Sequence, residues 1–90
     1  MIDKTTEIKE YLLEVAPHLE VGKNIVTYSI RDDNVELGWL KYDTINKWWC
    51  VVKDGENPRI AKNNMDTWQE AVDCLVATVN ALPVGERGRA

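Results

Sequence analysis

Lys47-Trp48-Trp49-Cys50-Val51-Val52-Lys53 is a run of aromatic and β-branched residues between two lysines, and it reads as a β-strand. Successive strand residues point to opposite faces of a sheet, so Trp48, Cys50 and Val52 share one face and Trp49 and Val51 the other. One tryptophan fills a core. If helices cover only one face, the other is displayed on the uncovered side, where contiguous apolar area usually marks an interaction site.

Working outward from this strand, Asp43-Thr44-Ile45-Asn46 makes a turn, and Val35 to Tyr42 forms the preceding strand. Pairing Tyr42 with Lys47 sets Lys41 opposite Trp48, Leu40 opposite Trp49, Trp39 opposite Cys50 and Leu37 opposite Val52. The core face then contains Leu37, Trp39, Trp48, Cys50 and Val52. The other face contains Leu40, Tyr42, Trp49 and Val51, with Gly38 beside Trp49. Asn24 to Arg31 is a further strand, with Val26, Tyr28 and Ile30 on one side and Thr27, Ser29 and Arg31 on the other. Asp32-Asp33-Asn34 supplies the hairpin turn, since Asp and Asn tolerate left-handed backbone. A turn at Asp32-Asp33 or at Asp33-Asn34 keeps the apolar sets on one face.

Thr5 to Ala16 places Ile8, Tyr11, Leu12 and Val15 at helical spacing, with Asp3, Thr5 and Thr6 as candidate N-caps and Pro17 as the stop. Asp66 with Gln69, and Thr67 with Glu70, each fit a capping box, so a second helix starts near Asp66. Trp68, Val72, Leu75, Val79 and Leu82 form its stripe, flanked by Ala71 and Val76, and Pro83 ends it. Residues 54–58 form a loop, and Arg59-Ile60-Ala61-Lys62 is a short edge strand or an extended connector. The fold expected is α+β, an α-β-β-β-α two-layer sandwich. A three-stranded antiparallel meander carries both helices on one face. Residues 1–82 make the single domain and 83–90 a disordered tail.

The 90 residues suffice for one small domain, with 44% hydrophobic and 29% charged residues. All seven aromatics are Trp or Tyr, so each carries a polar handle suited to half-wet surfaces. The net charge of −4 gives no electrostatic basis for binding nucleic acid or an anionic membrane. No signal peptide or long apolar span is present, and Cys50 and Cys74 read as free thiols, so a soluble cytoplasmic protein is expected.

Catalytic signatures are missing. His18, the one histidine, follows Pro17 without a local partner. Cys50 falls on a core-facing parity, where a thiol is inert packing rather than a nucleophile. Asp32-Asp33-Asn34 with Glu36 lacks the ligand offsets of a calcium loop. No phosphate-binding loop, dinucleotide fingerprint or metal-ligand spacing occurs. The expectation is a non-enzyme with no cofactor and no metal.

The stretch Trp48-Trp49-Cys50-Val51-Val52, then Ile60-Ala61, then Thr67-Trp68-Gln69-Glu70-Ala71-Val72 resembles small phage and prophage accessory proteins of the α-β-β-β-α "ABA sandwich" kind. In those the last strand is followed by a Thr-x-x-Glu-Ala helix. The resemblance covers residues 47 to 82. A HicB-like antitoxin domain has a similar strand-to-helix transition in a different order of elements. The phage likeness implies a phage or mobile-element protein that binds and inhibits a host enzyme or defence complex, as anti-CRISPR proteins do. Double-stranded RNA-binding domains share the element order, but they need a basic cluster where this chain has Lys62-Asn63-Asn64-Met65-Asp66.

The leading expectation is a protein-binding module, its partner unidentified, that uses Leu40, Tyr42, Trp49 and Val51, with homodimerisation as the simplest form. A tail or a 54–64 loop folded over Trp49 is the bland alternative. The second reading is an acidic inhibitor of a nucleic-acid-binding enzyme, acting through Glu7, Glu10 and Glu14 on the first helix and Asp66, Glu70 and Asp73 on the second.

Overall fold

The computed structural model describes residues 3–53 and 58–88. Its order is α1 (Thr5–Val15), β1 (Glu20–Lys23), β2 (Thr27–Asp32), β3 (Val35–Asp43), β4 (Lys47–Lys53), β5 (Pro58–Met65) and α2 (Trp68–Asn80), then a short 3-10 turn at Val84–Glu86. The strands form one antiparallel sheet in sequential order, and the helices pack on it. The α+β class holds, but the meander has five strands rather than three. Glu20–Lys23 is too short and too interrupted by Gly22 to show an alternation. Pro58–Met65 lacks one because β-bulges break its pairing with β4 on either side of Cys50.

The helices form where periodicity places them, but the N-cap of α1 is Lys4, which makes no side-chain cap bond, while Asp3 just before it accepts from the Thr5 amide. At the start of α2, the Thr67 hydroxyl accepts from the Glu70 amide at 3.2 Å, while the Glu70 carboxylate accepts from the Asp66 and Thr67 amides. Ala71, Val72, Leu75 and Val79 are buried. In α1, Ile8 and Leu12 are buried, but Val15 is exposed and Ala16 and Leu19 take its place. Tyr11 joins the two helices. Its ring meets Trp68 edge-on at 5.6 Å, and its hydroxyl donates to Asp73 at 2.6 Å.

Beyond α2, residues 83–88 lie against the domain. Arg87 donates to the carbonyls of Leu82 and Asn80, satisfying acceptors left open at the end of α2. Gly88, at φ +75, donates its amide to the Lys53 carbonyl.

One strand departs from the expected faces. The first turn is Asp33-Asn34, both residues left-handed, and Asp32 pairs with Val35. Arg31 pairs with Glu36, but Ile30 then pairs with Gly38, so Leu37 is an extra residue bulged out of the ladder. From Gly38 onward β3 is inverted relative to the unbulged register. Leu40 and Tyr42 face the helices, and Trp39, Lys41 and Asp43 face the other way. The second turn adds a compensating shift: Asp43, not Tyr42, pairs with Lys47. The Asp43 carboxylate accepts from the Ile45 and Asn46 amides, and Lys47 takes left-handed φ. The two shifts cancel, so β4 keeps the parity read from its sequence. Trp48, Cys50 and Val52 lie in the core, with Trp48 between the Tyr28 and Tyr42 rings.

Gly38 is required by this register. A Cβ built there stands 2.1 Å from the Val51 carbonyl oxygen and 3.1 Å from the Val52 Cα. Only a residue without a Cβ lets β3 approach β4 this closely.

Candidate functional site

Among the described residues no helix covers the second face of the sheet. Reading across it from β2 to β5, Ser29 pairs with Trp39, Trp39 with Val51 and Val51 with Ile60. The next row runs Thr27, Lys41, Trp49. Trp39 and Trp49 are therefore diagonal neighbours on adjacent central strands, close enough for large side chains to touch. Both are partly buried, and Ile60 is 56% exposed. Val51 is only 5% exposed, yet among the described residues it is the one buried apolar residue outside the main core cluster. It is the centre of a separate apolar band, shielded by its neighbours within the sheet.

Polar contacts hold this band in place. Trp49 donates its indole N–H to Asp43 at 3.1 Å, and the Lys41 ammonium stands 5.4 Å from the Trp49 ring centroid. Hydrogen bonds from the Asn46 amide, more than any other contact, hold the Asp43 carboxyl below the ordinary carboxylate range, keeping it an acceptor for the indole. On the other flank, Glu36 accepts from the Ser29 hydroxyl and from Lys53 at 3.0 Å. Burial pushes the Glu36 carboxyl up, but Ser29, Lys53 and Arg31 together outweigh it and hold it low. Both edges of the band are thus charged, and the tryptophan nearest an edge is fixed in orientation.

The four residues expected to form the binding patch are divided between the two faces. Trp49 and Val51 lie on the open face as their parity requires. Leu40 is fully buried beneath the helices, and Tyr42 packs beside Trp48 on the helix side, 38% exposed at the end of the core. The bulge at Leu37 moved both. In their place the open face gains Trp39, and β5 adds Ile60. Charge was the available signal: the unbulged register puts Lys41 and Asp43 on the core face, and only an inversion returns them to solvent.

The bland covering is limited too. Residues 58–64 extend the sheet sideways as β5 instead of folding over Trp49. Gly88 lies beside Val35, Leu37 and Lys53, at the opposite end of the sheet from Trp49. Residues 54–57 lie outside the described residues.

The six acidic residues of the alternative surface are partly committed elsewhere. Asp66 forms an ion pair with Lys47 at 2.8 Å, Glu70 completes the capping box, and Asp73 accepts from Tyr11. Glu7 sits 3.6 Å from Lys4, while Glu10 and Glu14 are exposed on α1. At the start of α2, where a double-stranded RNA reader carries cations, the structure has the Asp66–Lys47 pair and Glu70.

Cys50 is fully buried, and loss of solvent, helped by neighbouring Cys74, pushes its thiol up to about 12. His18 is exposed beyond the end of α1. Among the described residues no helix is long and apolar enough to cross a membrane. Comparison with protein-family models, with curated proteins and with solved structures gives no match, so the reading of this face rests on its geometry.

Proposed function

We propose that this chain is a non-enzymatic binding protein whose working surface is the open sheet face, and that the simplest occupant is the same face of a second copy. The observation that carries this reading is the band Trp39-Val51-Ile60 with Trp49 diagonal to Trp39, on a face that no helix covers.

Charge supports a neutral occupant. Arg31, Lys41 and Lys53 on this face balance Glu20, Glu36 and Asp43, and Lys47, opposite Asp43 in the ladder, is paired with Asp66. Two copies meeting here do not repel one another, and the face has no excess of cations for a phosphate backbone.

Size sets the strength. Five strands about 4.8 Å apart, of four to nine residues each at about 3.3 Å, present a face of roughly 500 Å² in projection. Two such faces bury on the order of 1,000 Å², the lower limit for a specific interface. The dimer is therefore reversible, and a foreign protein with an apolar groove competes for the same face. Inhibition of a host enzyme or defence complex, the role implied by the resemblance to phage accessory proteins, is such a competition.

Sedimentation equilibrium over a range of concentrations tests the reading. Wild type is expected to show a monomer–dimer equilibrium little affected by salt, and Trp39→Ser a folded monomer. A wild type that is monomeric throughout overturns self-association. Dimerisation that salt abolishes overturns the apolar band as the surface that holds the two copies together.

A further inference from the structure

β1 and β5 are the two edges of the sheet, and among the described residues only β2 pairs with β1. Asn24 donates its amide to the Thr27 carbonyl at 2.8 Å, and bonded and non-bonded pairs alternate along an antiparallel ladder. Gly22 and Glu20 therefore bond to Ser29 and Arg31 of β2, while Val21 and Lys23 turn their N–H and C=O groups outward. A groove of about 300 Å³ lies beside this edge, lined by Lys9 and Leu13 of α1, by Pro17 and Leu19, and by Glu20 and Val21 of β1. Lys9 and Leu13 are each two positions from Tyr11, about 200° around the helix, so they lie on the side of α1 away from α2. Leu13 is 61% exposed there. Val21 shares the helix side of the sheet with its buried partner Ile30, and a residue added opposite Val21 points to that same side, beside the groove.

We propose that the β1 edge and this groove form a docking site for an extended segment of a partner protein. The segment adds to the sheet as a further strand, sets an apolar side chain opposite Val21 in the groove, and carries a carboxylate two residues away that meets Lys9. The backbone groups of Val21 and Lys23 define an extended ligand, and Leu13, Pro17 and Leu19 define its apolar side chain. Lys9 sets the charge, because among the described residues it forms no ion pair. The two edges of the sheet are unlike in this respect. β5 begins with Pro58 and Arg59, carries Lys62 and is bulged on either side of Cys50, all of which discourage an added strand. The one cation of β1, Lys23, is folded back: its ammonium donates to the Asn24 and Ile25 carbonyls and stands 4.9 Å from the Tyr28 ring centroid. A second copy fits the β1 edge poorly. Antiparallel pairing centred on Gly22 sets Lys23 against Val21, and pairing centred on Val21 sets the two Glu20 carboxylates diagonally across the ladder. The site is separate from the open sheet face and does not rest on that reading.

The test is an NMR titration of the isotope-labelled full chain with the synthetic peptide Ser-Thr-Val-Thr-Leu-Thr-Glu-Ser, whose Val, Leu and Glu fall on one side of an extended strand. Saturable shifts centred on the Val21 and Lys23 amides and the Leu13 methyls are expected. The same peptide N-methylated at its leucine, which removes a donor to the edge, is expected to give none. Replacing its Glu by Lys is expected to weaken binding about twofold to fivefold. Leu13→Ser, at an exposed position, is expected to stay folded and bind about tenfold more weakly. The Trp39→Ser/Trp49→Ser double variant is expected to bind the peptide as wild type does, which separates this site from the open face. Absence of shifts overturns the proposal, as do shifts confined to Trp39, Trp49 and Ile60 or to β5, or equal binding of the N-methylated peptide. Concentration-dependent shifts of Val21 and Lys23 without peptide give the edge to a second copy and overturn it as well.

Discussion

Replacing Gly38 with alanine probes the feature that decides which tryptophan faces where. The new Cβ would stand 2.1 Å from the Val51 carbonyl oxygen, well inside any contact that a real Cβ makes. Both nearest groups are backbone of β4, so no side chain can swing aside. The central ladder must open by about 1 Å or change register, a strain of about 2 to 4 kcal/mol. For a domain of this size each kcal/mol moves Tm by about 4 to 8 °C, so Gly38→Ala should melt roughly 10 to 25 °C below wild type. Gly22→Ala is the matched control, because nothing lies within 4 Å of a Cβ there. It should melt within a few degrees of wild type, helped slightly by a less flexible unfolded chain. Thermal unfolding followed by circular dichroism measures both. Equal melting of the two variants would refute the close approach of β3 to β4, and with it the bulged register.

Three further outcomes follow from the same geometry. Leu40→Ala, in a fully buried position, should cost about 2 to 5 kcal/mol in urea denaturation, whereas Trp39→Ser should cost about 1 kcal/mol or less; the reverse order would restore the unbulged register. Glu36 is held below its ordinary value of 4.5, so its stabilisation is complete above that range and is lost as pH falls through the lower folded pKa. Glu36→Gln should therefore lose about 1 kcal/mol at neutral pH and match wild type in strong acid, and a deficit that persists in acid would deny the ion pair with Lys53.

Much of this architecture is legible in the residues. The helical stripes, the Thr67–Glu70 box and the parity of β4 follow from periodicity and capping chemistry, and so does the separation of Trp48 from Trp49. The inversion of β3 is harder to read because Leu37, Trp39 and Leu40 are all apolar, so either parity gives a plausible core. A bulge adds one residue and leaves no mark in composition. Gly38 inside a strand hints at one, but only the contact with Val51 shows what the glycine is for. The turn at Asp43 carries a second one-residue shift that restores β4, which hides the first from any check made on Trp48 and Trp49 alone. Lys41 and Asp43 were the informative residues, since neither belongs beside Trp48 in a core. The edge strands were obscure for another reason: β1 has four residues and contains Gly22, and β5 is bulged on either side of Cys50, so neither shows a clean alternation.

The most direct measurement is the solution mass of wild type beside the Trp39→Ser/Trp49→Ser double variant, with a melt of each. A concentration-dependent dimer in wild type and a folded monomer in the variant is the predicted result. Identical masses for the two proteins, with the variant still folded, would contradict the open aromatic face as the surface on which this chain self-associates.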